Sequence, residues 1–118
     1  MEEDTQGITQ AMPSIDDLKA KYGKIYKVAA TVEPDDETTQ DFVFVFKKAT
    51  TASYDRYLKT AANGMSKATQ TFLYDNVLDE YRNQLESAIN DYPALAISLA
   101  DKLLTMLGLS KAITLTML

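Results

Sequence analysis

The sequence predicts an α+β fold, and three observations lead to it. Two stretches alternate: Tyr26, Val28, Ala30 and Val32 against Lys27, Ala29 and Thr31, then Phe42, Phe44 and Phe46 against Val43 and Val45. That period of two belongs to strands, whose successive side chains point to opposite faces. From residue 50 onward, apolar residues recur at helical spacing instead. Finally, YPALAISLADKLLTMLGL over 92–109 has Ser98, Asp101, Lys102 and Thr105 as its interior polar positions, one narrow stripe of a 3.6-residue helix. Such a helix must be packed on several sides. The expected architecture is a short N-terminal helix and an antiparallel β-hairpin packed on a bundle of three to four α-helices, with the apolar C-terminal helix at its centre.

Order begins after residue 12; residues 1–12 read as a flexible acidic arm. In PSIDDLKAKYG, Ser14 is placed to cap a helix, with Asp16 and Asp17 at its positive end, Ile15, Leu18 and Tyr22 on one edge, and Gly23 as its stop. The two alternating stretches follow, joined by EPDDETTQ, an acidic segment read as a long connection. Because a lone hairpin is marginal, the phenylalanine face should lie on the helices. The valine face and the open edge are then left to a partner.

Thr50 or Thr51 caps the next helix, with Tyr54, Tyr57, Leu58 and Ala61 at i, i+3, i+4 and i+7. Ser66 starts another, carrying Ala68, Phe72 and Leu73 inward. Asp79 is placed to cap a fourth, with Leu78, Tyr81, Leu85, Ala88 and Ile89; residues 66–91 read equally as one bent helix. Pro93 suits the first turn of the central helix and Gly108 its end. The predicted core is Phe42, Phe44, Phe46, Tyr54, Leu58, Leu85, Ile89, Leu95, Leu99, Leu103 and Leu107. Residues 13–109 thus form one domain. The apolar tail 110–118 alternates Ile113, Leu115 and Met117 against Thr114 and Thr116, which suits a third strand on the hairpin or an assembly arm for a neighbouring subunit.

Composition narrows the function classes. The chain has 118 residues, net charge −5, no cysteine and no histidine. A disulfide framework and thiolate metal sites are therefore excluded, and so are the commonest general base and transition-metal ligand. The acidic balance disfavours general nucleic-acid binding, which needs a basic surface to neutralise phosphates. The run Lys19, Lys21, Lys24 and Lys27 beside Tyr22 and Tyr26 is the one stretch that resembles a single-strand-binding pattern. Asp75 and Asp79 have the i, i+4 spacing of paired catalytic carboxylates, but nothing accompanies them. Glu33, Asp35, Asp36 and Glu37 lack the ligand spacing and central glycine of a calcium loop. No catalytic residue, cofactor or metal is assigned, and an enzyme is not expected. The acidic, polar N-terminus does not read as a signal or transit peptide, so a cytoplasmic location is expected. The candidate interface residues are Val43, Val45, Ile113, Leu115 and Met117.

The order of features carries a resemblance. A strand ending at Phe46 leads into a Thr-x-x-x-Tyr-Asp-Arg segment (Thr50, Tyr54, Asp55, Arg56), and Tyr92-Pro93 precedes a long helix that ends at Gly108. Over about 14–109 this resembles the small tail assembly chaperones of long-tailed bacteriophages and prophages. The resemblance implies a non-enzymatic oligomeric protein of the host cytoplasm that binds the tape measure protein and tail tube subunits during tail assembly. A structural or cargo component retained in the virion is the alternative. A small regulatory or nucleic-acid-associated protein stands behind both.

Overall fold

A computed structural model describes residues 13–118, and the acidic arm expected over 1–12 lies outside them. The fold is α+β. Helix α1 (Ile15–Tyr22) precedes a hairpin of strands β1 (Ile25–Asp35) and β2 (Thr38–Lys47). Helices α2 (Thr51–Ala61) and α3 (Met65–Asn76) follow, then a 3-10 turn (Asp79–Tyr81), α4 (Arg82–Asp91) and α5 (Leu95–Thr105).

Capping residues set the helix boundaries. The Ser14 side chain accepts the Asp17 N–H at 3.1 Å, and Gly23 closes α1 with φ 84°, a conformation that a side chain would strain. Of the two threonines offered for α2, Thr50 is the cap: its hydroxyl accepts from Ser53 N–H while the Ser53 hydroxyl accepts from Thr50 N–H. Asp79 does not cap α4, because a 3-10 turn occupies 79–81 and the α-helix starts at Arg82. The segment 66–91 is thus two helices, parted by extended backbone at Val77 and Leu78. Pro93 lies two residues before the helix and not in its first turn: it sits in a turn closed by Leu95 N–H to Tyr92 C=O at 3.0 Å, and α5 begins at Leu95.

The hairpin connection is short where a long one was expected. Only Asp36 and Glu37 separate the strands, because the Asp35 carboxylate accepts from Glu37 N–H at 2.8 Å and from the Thr38 hydroxyl at 3.1 Å. A register shift between Val32 and Asp35 absorbs Pro34 as an irregularity. In the register, Tyr26 faces Phe46, Val28 faces Phe44 and Ala30 faces Phe42, so these six share the face turned to the helices.

The core runs from this face into the bundle. Phe44, Phe46, Leu85, Ile89, Leu95, Leu99 and Leu103 are buried as predicted, and Phe42, Tyr54 and Leu107 pack half-buried against them. Leu58 is the exception, 49 % exposed. The inward face of α2 runs instead through Ser53 and Tyr57, whose ring lies 5.2 Å from that of Phe72. Helix α5 packs on α3, α4 and β1 through Leu95, Ala96, Leu99, Ala100 and Leu103, as a central helix should. The buried polar side chains Asn76 and Thr69 are bonded to the Phe72, Met65 and Ser66 carbonyls of their own helix.

Candidate protein-binding surface

The five candidate interface residues do not share one environment. Val43 is 46 % exposed on the outward face of β2. Val45, two residues on and on the same face by alternation, is 1 % exposed. This corrects its assignment as an interface residue. Near this strand end α1 lies against β1 with Leu18 buried, and the extended link after α3 reaches β2, where Leu78 N–H bonds Val45 C=O at 3.0 Å and Val77 bridges Phe46. The same link occupies the β2 edge at Val45 and Phe46, whereas no described strand pairs with the outer edge of β1.

Helix α1 is held over this region by charge. The Glu80 carboxylate accepts from the Tyr22 hydroxyl at 2.8 Å and from the Lys21 ammonium at 3.0 Å. The Tyr22 hydroxyl, and after it the Lys21 ammonium, hold the Glu80 carboxyl below the usual carboxylate range. Lys21 is raised by the same carboxylate, and Tyr22 is raised first by burial and then by Glu80. One lysine of the basic run is therefore engaged in docking α1. Asp75 and Asp79 are not on one helix face: Asp75 pairs with Arg56, and Asp79 lies beyond the end of α3 in the 3-10 turn. The Asp35 carboxyl of the acidic segment is held low by the turn hydrogen bonds, first that from Glu37 N–H. Among the described residues no group of three or more acidic, cysteine or histidine side chains is placed to hold a metal ion. Nor is any described helix long and apolar enough to cross a membrane.

The tail has the most exposed apolar side chains. Gly108, at φ 106°, turns the chain out of α5, and Leu109 N–H closes back on Leu104 C=O at 3.1 Å. Beyond it Ile113, Leu115, Met117 and Leu118 are 78 to 114 % exposed. The hairpin remains a sheet of two strands among the described residues, so the tail is not a third strand on its own chain. Asp101 and Lys111 approach to 4.0 Å at its root.

Two further apolar features were not singled out from the sequence. Met65 and Ile97, 55 and 62 % exposed, flank a hollow of about 300 Å³ between α3 and the start of α5. A second hollow of about 580 Å³ lies between β1 and the turn joining α4 to α5, with Val32, Tyr92 and Leu95 in its walls. The excess of apolar residues around α5 was the available signal for the first. The second arises from chain segments 60 residues apart and had none.

A family model described as a domain of unknown function, DUF6848, matches residues 18–116. The chain belongs to the DUF6848 family. The match takes in the hairpin, all the helices from α2 to α5 and most of the exposed tail, so the tail falls within the DUF6848 domain and is not an appendage to it. A solved structure, that of the uncharacterised protein rbstp2171 from Bacillus stearothermophilus, is similar with a TM-score of 0.73 and 25 % identity, over 87 % of this chain and 100 % of that one. No curated protein matches the chain.

Proposed function

We propose that this DUF6848 domain is a non-enzymatic assembly protein of the tail assembly chaperone kind, which binds an apolar helical client and tube-forming subunits in the cytoplasm of a phage-infected host. The observation that carries the reading is the tail: Ile113, Leu115 and Met117 alternate with threonines and stand 78, 97 and 95 % exposed, next to a folded core. An apolar strand-forming segment kept in water has a use when another chain covers it. Three features support the reading further. Val43 is exposed on the hairpin, the Met65–Ile97 patch is open, and the net charge of −5 keeps a protein with such surfaces soluble.

The test is binding to a tape measure segment and to tail tube subunits, each measured by titration with the full chain and with a Leu115→Asp variant. Saturable binding by the full chain, weakened at least tenfold in the variant, is the expected result. Indifference of the full chain to both clients overturns the proposal. Composition analysis of mature particles then separates a chaperone, which is absent from them, from a retained virion component.

A further inference from the structure

The open edge of β1 borders a groove. The hollow of about 580 Å³ beside Val32 adjoins another of about 260 Å³, and the two share Ala30 and Ser98. Lys27, Val28, Ala29 and Ala30 line the smaller hollow and Ala30, Thr31 and Val32 the larger. Consecutive strand residues point to opposite faces, so a hollow that touches all of them in turn runs along the strand's edge, where alternate N–H and C=O groups point away from β2. Its far wall is α5 and the turn before it, through Tyr92, Leu95, Ser98 and Leu99. Pro34 and the register shift end the regular edge after Val32.

The tail matches this edge in length and pattern. Lys27–Val32 spans six residues, roughly 20 Å of strand at ~3.3 Å per residue, and residues 112–117 have the same length. From Ala112 to Met117 the tail carries no charged side chain, so covering these side chains strips no ion of water. It leaves the C-terminal end of α5, the groove runs beside α5 from Leu95 to Lys102, and in its own chain the tail pairs with neither strand. Strand β1 and residues 112–116 of the tail lie within the residues of the family match, and Met117 lies one position beyond it.

We infer that residues 112–117 of one copy add as a strand to the free edge of β1 in a second copy, with Ile113, Leu115 and Met117 turned into the groove and Thr114 and Thr116 outward. The inference rests on the assembly reading above and gives it a first partner, the chain itself.

Because the chain has no cysteine, disulfide trapping tests the contact directly. Ala29→Cys or Thr31→Cys in one full-length protein is mixed with Thr114→Cys or Thr116→Cys in another; all four positions are exposed. One register brings particular pairs together. The expected result is a mixed dimer at least tenfold above a control in which Glu86→Cys replaces the β1 cysteine, lost when Leu115→Asp is added to the tail partner. Crosslinking only within a doubly substituted chain would falsify the inference, since the tail would then lie on its own edge. Light scattering of the unmodified chain keeps the outcomes apart. Oligomers without a preferred crosslink overturn the β1 acceptor and leave the assembly reading standing. Monomers at every concentration overturn self-association, and the client titration alone then decides the assembly reading.

Discussion

The Tyr22 hydroxyl donates to the Glu80 carboxylate at 2.8 Å across 58 residues of sequence, and this contact joins the N-terminal helix to the turn that opens α4. With Lys21 on the same carboxylate, it ties α1, which packs on β1, to that turn. Its pH dependence follows from the directions of the shifts. The Glu80 carboxyl is depressed in the folded chain, so its contribution is present above the ordinary glutamate value of about 4.3 and is lost as pH falls through the lower folded value. Lys21 and Tyr22 are raised, so theirs is present below about pH 10 and is lost as pH rises through their folded values. Urea midpoints measured from pH 6 to pH 3 should fall more steeply in the parent than in Glu80→Gln. Equal slopes would show that the carboxylate contributes nothing to docking α1.

The two valines of β2 make a paired prediction. Val45→Ala removes two methyl groups from a site 1 % exposed and should destabilise by about 2 kcal/mol, while Val43→Ala should stay within about 0.5 kcal/mol. Chemical denaturation of both variants checks this. Equal effects would mean that the two valines are equally open in solution.

Thr50→Ala should destabilise by about 1 kcal/mol through loss of the reciprocal cap with Ser53, and Thr51→Ala by much less. Thermal unfolding of the two variants ranks them. The reverse order would move the start of α2 by one residue.

On α2, Tyr57→Ala should cost about 3 kcal/mol, because the ring is buried against Phe72, whereas Leu58→Ser should be near neutral or improve solubility. Stability and solubility measurements on the pair report which face of the helix is inward. A larger loss at Leu58 would reverse the assignment.

Residues 57 and 58 also show where the sequence was legible. The i, i+3, i+4, i+7 pattern located α2 but admitted either edge of its apolar stripe, and only the position of Phe72 on α3 selects Tyr57 over Leu58. Period two identified the strands and the phenylalanine face correctly. It could not reveal that the opposite face is covered at Val45 and open at Val43, since that depends on how the rest of the chain packs on the hairpin. The hairpin turn was hidden for a local reason: EPDDETTQ has the polarity of a loop, but the Asp35 side chain folds it into a two-residue turn between solvated strand ends. Of the candidate surface, the exposed tail was legible because its alternation is its own. The groove beside β1 was not, because its two walls meet only in the folded chain.

The bond from Leu78 N–H to Val45 C=O joins the only regular sheet of the described residues to the helical layer through main chain. A hairpin that met the bundle through side chains alone could peel away while the helices stayed folded. Here it cannot do so without also freeing the buried link between α3 and α4, so the two layers should melt as a single cooperative unit, with the Leu78 amide among the last to exchange with solvent.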